Sequence, residues 1–166
     1  LTPRLRPILP WLILFDTNFR SKVLALEPEI AAEGGDPANL PFNERQHLLN
    51  EIVGRIVNDE DDRSARDNAA IARIAQSDLT DDALRLINGH DDNDDALFFL
   101  GRLVWQGKMT PCLPRLARIA ADPSRGVYAR IAATRAVMTC GTREQKDALW
   151  RALNALADRL PRQLLS

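Results

Sequence analysis

The sequence predicts an all-α protein, a right-handed α-solenoid of about seven or eight helices in antiparallel pairs. Three observations predict it. First, a short amphipathic helix, a polar turn, a longer amphipathic helix and a glycine occur twice in succession, from Thr80 to Gly107 and from Thr110 to Gly141. A period of roughly 30–35 residues built from paired helices is how a solenoid reads in sequence, because each pair buries its apolar stripe only by stacking on the next. Second, no stretch alternates Val, Ile or Thr with polar residues as a half-buried strand would. Third, only 5% of the residues are aromatic while 45% are hydrophobic, and Ala and Leu are abundant, which suits closely packed helices.

The first 42 residues are predicted to form a Pro-rich segment that packs on repeats spanning 43–166. Pro3, Pro7 and Pro10 limit residues 1–14 to short helical turns. Trp11, Leu12, Leu14 and Phe15 are expected to dock on the first repeat. Asp16-Thr17-Asn18 can cap a helix over Phe19 to Leu26, which should end at or before Glu27, ahead of Pro28. Glu33 to Pro41, with Gly34, Gly35 and two prolines, is a loop.

Asn43 is expected to cap a strong helix whose apolar positions, Leu48, Leu49, Ile52, Val53, Ile56 and Val57, recur at spacings of three and four and share one face. Asn58 to Asp62 is a solvated acidic link. A helix from Ser64 to about Ala75 turns Ala69, Ala70, Ile71 and Ile74 inward. Thr80 caps the short helix of the first repeat, with Leu84 and Ile87 on its apolar side. His90 to Asn93 forms the turn, and Ala96 to Gln106 the long helix, with Gly107 as C-cap. In the second repeat Leu116 and Ile119 lead to Ala121–Ser124, then to Val127–Cys140 and Gly141. Thr142 caps a last helix through Leu149, Trp150, Leu153, Leu156 and Leu160, which Pro161 stops.

The chain has 166 residues and a formal net charge of −1, so no global field draws it to nucleic acid or membrane. The apolar run Ile8 to Phe15 is too short for a membrane span. The two cysteines, Cys112 and Cys140, read as buried free thiols rather than a disulfide framework, and the expected location is cytoplasmic. A start at Leu1, with no initiator Met or signal peptide, reads as a cut through a longer polypeptide.

No catalytic, cofactor or metal residue is assigned. Gly101 to Lys108 resembles a phosphate-binding loop superficially, but five residues separate the glycines where four are required, and Met109 stands where a hydroxyl would hold Mg²⁺. Gly101 reads instead as a site of close helix packing. The acids Asp91, Asp92, Asp94 and Asp95 lack the bend glycine and distal Glu of a calcium loop and suit a helix N-terminus. His47 and His90 are isolated from the three or four convergent ligands a zinc site needs. The candidate partner-contacting residues are Trp105, Arg115, Arg118, Arg125, Arg130 and Trp150. The arginines, with Arg135 and Arg143, crowd one repeat and read first as solvent-facing side chains paired with Asp or Glu, second as an anion-binding patch. The two tryptophans sit late in successive long helices. Burial between repeats is expected, and exposure would make them anchors for a partner.

Two stretches carry a family resemblance. Phe15-Asp16 to Phe19-Arg20, Leu26-Glu27-Pro28-Glu29, Gly35-Asp36-Pro37, Leu40-Pro41 and Arg45 to Leu48-Leu49 together resemble a segment of bacterial NACHT-type STAND NTPases. Asp78 to Gly141 is similar to the HEAT or armadillo-like repeats of those proteins. The resemblance implies a repeat region that senses a ligand or packs on an ATPase core in a signal-transduction protein, one use of which is antiphage defence. The ATPase motifs are absent from this chain. The expected function is therefore non-enzymatic: a protein-interaction or sensor segment binding a protein partner or a neighbouring domain of the parent chain. The alternatives are a constitutive scaffold between subunits and a HEAT-like nucleic-acid or DNA-glycosylase module. The latter requires a strongly basic concave face, which the net charge disfavours.

Overall fold

A computed structural model of the chain describes residues 4–27, 30–60 and 68–156. Every regular element among them is helical. Contacts divide the chain into two compact units, Leu1–Leu79 and Thr80–Ser166. The division falls at residue 79, where the sequence places it at 42. The reason is local packing: Pro37, Leu48, Leu49, Ile74 and Leu79 close around one small space, so the proline-rich loop and the helix that follows share a core.

In the first unit, α1 spans Leu9–Phe15 and accommodates Pro10 in its first turn, where the missing N–H costs nothing. Its buried residues are Leu9, Pro10 and Ile13, one turn apart. Trp11, Leu12 and Phe15, which the sequence expects to dock, face outward. α2 (Thr17–Leu26) begins two residues before the expected Phe19, with the Asp16 carboxylate capping it by accepting from the Phe19 N–H at 2.8 Å. Arg20 is buried and donates from Nε to the Ile13 carbonyl at 2.6 Å, placing a cation on the carboxyl end of α1. α3 (Ile30–Glu33) follows, and Arg6 donates to both Glu27 and Glu33, tying the N-terminal segment to it. Gly35 is required where it stands: its φ is +63° and a Cβ would lie 2.4 Å from the Pro10 carbonyl oxygen.

α4 (Phe42–Val57) carries the predicted stripe, with Leu48, Leu49, Ile52, Val53 and Ile56 buried and Val57 half-buried. Its N-cap is Pro41 and no side chain caps it, so Asn43 lies inside the helix rather than at its edge. α5 (Asn68–Ile74) buries Ile71 and Ile74 but leaves Ala69 exposed. The expected start of this helix at Ser64 lies outside the described residues.

A 3₁₀ turn over Ser77–Leu79 closes the first unit, and the second opens on α6 (Thr80–Gly89), so Thr80 is the first helical residue. α6 buries Ala83, Leu86 and Ile87, with Leu84 only half-buried. α7 (Asp94–Gly107) is capped by Asn93, which accepts from the Ala96 N–H at 2.9 Å. Its C-cap is Lys108 in the left-handed region at φ 52°, while Gly107 remains helical, so the helix breaks one residue later than expected. α8 (Leu113–Ala121), α9 (Val127–Cys140) and α10 (Arg143–Asn154) complete the described helices. Thr142 caps α10 in a reciprocal box with Gln145, as its sequence position predicts. The expectation for Leu160 and Pro161 lies outside the described residues.

α7 and α9 have 14 residues each and lie side by side. Their amino ends are joined by the Gly126 N–H donating to Asp94 at 2.7 Å, and their carboxyl ends by the Cys140 thiol near the Trp105 carbonyl at 3.6 Å. The two helices therefore run parallel. Between those ends, a Cβ added at Gly101 would sit 3.0 Å from the Ala132 Cβ, so the glycine permits the backbones to approach. α8 carries the chain back between them and packs on α9, and α10 packs on both α8 and α9.

Candidate interaction site

The second unit has a groove of about 310 Å³ between α8 and α10, floored by Val137 of α9. Leu113, Pro114, Ala117 and Ala121 line it from α8, and Ala148, Leu149 and Ala152 from α10. Arg118 and Gln145 are the polar residues among the described ones that line it. Local sequence explains the shape. Ala117 and Ala121 are one turn apart, as are Ala148 and Ala152, so two facing helices each present a row of methyl groups. The helices meet at their larger buried residues and leave space over the alanines.

The six predicted contact residues do not converge on this groove, and Arg118 alone among them lines it. Arg115 is held by Asp91 at 2.7 Å, and Arg125 by Asp122 at 3.5 Å. Both fit the reading as paired arginines. Arg130 does not. It is 2% exposed, inside the packing of α8 on α9, and its Nε donates to the Ala120 carbonyl at 3.1 Å. Burial depresses its pKa from the ordinary guanidinium value, with the Asp122 charge opposing that shift. A buried guanidinium cannot be part of a surface patch, so Arg130 is removed from the contact set. Arg130 lies on the buried face of α9 because Ala133 and Val137, three and seven residues on, share it.

Trp150 is 58% exposed, contrary to the expected burial. It stands about half a turn from Ala148 and Ala152 and points away from the groove. Trp105 is half-buried, and the Arg135 guanidinium lies 3.8 Å above its ring centroid. The acids after His90 do structural work: Asp91 pairs with Arg115, Asn93 caps α7 and Asp94 accepts from Gly126. Among the described residues no group of three His, Cys, Asp or Glu side chains is placed to hold a metal ion. No described helix is long and apolar enough to cross a membrane.

Sequence reasoning missed the groove because it sought large and charged anchors. The available signal was the pairs of alanines at four-residue spacing on α8 and α10. No family model, curated protein or solved structure matches this chain.

Proposed function

We propose that this chain is a non-catalytic recognition segment, a right-handed HEAT-like solenoid region that binds a protein through the α8–α10 groove. The groove carries the reading. It is apolar, shaped by alanines and edged by a single cation, which suits an apolar side-chain ridge on a partner helix. The parallel register of α7 and α9 supports the repeat reading, since equivalent helices of successive pairs lie side by side. The parent protein in this proposal is a cytoplasmic signal-transduction ATPase of the NACHT/STAND class, and antiphage sensing is the role the sequence resemblance suggests.

The test is affinity capture from lysates of phage-infected and uninfected cells, with the wild-type chain and an Ala117→Glu/Ala152→Glu variant. A protein captured only after infection, and lost with the groove-blocked variant, supports the sensor reading. The same captured proteins in both lysates, or capture indifferent to the blocked groove, overturns it.

A further inference from the structure

α1 is apolar at every position, its residues Leu9 to Phe15 reading Leu-Pro-Trp-Leu-Ile-Leu-Phe. A helix that is hydrophobic all round is ordinarily enclosed on all sides. Here Leu9, Pro10 and Ile13 face the core of the first unit, and the opposite face is bare. Ile8, Trp11, Leu12 and Phe15 are 42% to 83% exposed, and at 3.6 residues per turn they fall within an arc of about 100°. Leu5 extends the row from the preceding turn: it is exposed too, and its carbonyl accepts the Leu9 N–H at 3.2 Å. Contiguous apolar surface with a polar rim marks a contact surface.

The rim says what fits there. Exposed Arg4 precedes the row and exposed Asp16 follows it. Among the described residues Arg4 has no ion-pair partner. Asp16 caps α2 through Oδ1, and its other oxygen can accept from a guanidinium. A second copy laid antiparallel on the same face brings Arg4 of each copy to Asp16 of the other. That register also sets Leu5 opposite Phe15 and Ile8 opposite Leu12, so apolar meets apolar along the row. A two-fold axis generates all of these contacts from one patch. The five apolar side chains leave roughly 500 Å² open per copy, so the pairing covers about 1,000 Å² in total, the lower limit for a specific interface. A lipid surface is a poorer match. Asp16 would be driven against anionic headgroups, and Arg6 is already neutralised by Glu27 and Glu33.

We infer that this chain forms an antiparallel, two-fold symmetric dimer through the outer face of α1. Its small area makes the dimer a weak one, dissociating in the micromolar range. The contact is independent of the α8–α10 groove, which belongs to the second unit.

Sedimentation equilibrium of the full chain from about 1 to 200 µM tests this, and a monomer–dimer equilibrium is expected within that range. Trp11→Ser/Phe15→Ser is expected to stay monomeric with unchanged helical circular dichroism, since both side chains are exposed. Arg4→Glu, which sets like charges face to face, should weaken the dimer about tenfold at low salt and less at about 0.5 M salt. A monomer at every concentration overturns the inference, and its co-sedimentation with phosphatidylserine vesicles would give the face to a lipid surface instead. Association that either variant leaves unweakened, or that yields open-ended aggregates rather than a dimer, also overturns it.

Discussion

The Asp94 carboxylate accepts a hydrogen bond from the Gly126 N–H at 2.7 Å, across 32 residues of sequence. Asp94 opens α7 and Gly126 is the N-cap of α9. One carboxylate thus lies at the positive ends of two helices, where negative charge is favourable. It also sets the register in which the long helices stack. The approach is close: a Cβ at Gly126 would lie 2.8 Å from Asp94 Oδ2.

Replacing Asp94 with Ala removes a partner from both helix starts. Asp94→Ala is expected to destabilise the protein by about 1–2 kcal/mol, the range of a lost cap. Asp94→Asn keeps an acceptor and should cost less. Urea denaturation of the three proteins checks the order, and equal stability of wild type and Asp94→Ala would remove the role assigned to this bond.

At Gly101 two effects compete. Alanine improves helix propensity by about 1 kcal/mol. Its Cβ, however, would meet the Ala132 Cβ at 3.0 Å and the Ala132 carbonyl carbon at 3.2 Å, and backbone cannot rotate aside. Overpacking of this kind costs about 1–3 kcal/mol, so Gly101→Ala should be net destabilising and Gly101→Val more so. Thermal melts decide it, and a stabilised Gly101→Ala would show that α7 and α9 separate freely.

The two thiols should differ in reactivity. Cys112 is fully buried, and burial, with a smaller contribution from the Asp81 charge, pushes its pKa up to about 11. Cys140 is half-buried; burial raises its pKa too, but Lys108 and Lys146 oppose the shift. Iodoacetamide on the native protein at pH 8 is expected to label Cys140 first and Cys112 only on unfolding, because the thiolate is the nucleophile. Mass spectrometry of timed samples reads the order.

In the first unit Arg45 donates to both oxygens of Asp78, at 2.7 and 2.6 Å, and through Nε to the Leu40 carbonyl at 3.0 Å. Hydrogen bonding from Arg45 holds the Asp78 pKa below its ordinary value, and burial only partly opposes it. A lowered carboxylate pKa gives stability that is present above the unfolded value and is lost as pH falls through the folded one. Asp78 is half-exposed, so screening limits the effect to about 1 kcal/mol. Asp78→Asn should therefore lower stability at pH 7, and the difference should shrink only as pH falls below the ordinary carboxylate range, through the lowered folded-state pKa of Asp78. A constant difference at all pH values would exclude the ion pair as its cause.

Arg130 presents the opposite case. It is buried, and its Nη2 has no hydrogen-bond partner. Replacing a buried charge with a well-packed apolar chain of similar length is often neutral or stabilising, whereas truncation leaves a cavity. Arg130→Met is expected to retain wild-type stability within about 1 kcal/mol. Arg130→Ala should lose about 2–4 kcal/mol. Chemical denaturation distinguishes them.

Much of the helical layout was legible in the sequence. Apolar spacing located the stripe of α4, and short-range hydrogen-bond chemistry located the caps within Asp16–Asn18 and at Thr142. These signals act within one or two turns, so neighbouring residues suffice to read them. Where a cap relied on position alone, as at Asn43, Thr80 and Gly107, the helix moved by one or more residues.

The site was far less legible. Arg115 and Trp150 have similar surroundings in sequence to many exposed residues, yet one is locked to Asp91 and the other stands free in solvent. Arg130 looked like its neighbours and lies in the core.

The sequence by itself determined that this chain is helical and where most helices run, because periodicity and capping are local properties. The tertiary structure alone decided which residues face a groove and which arginine is buried. Those outcomes depend on the rotation and register of each helix against its neighbours, and they are set by contacts between residues some 30 positions apart, such as Gly101 with Ala132.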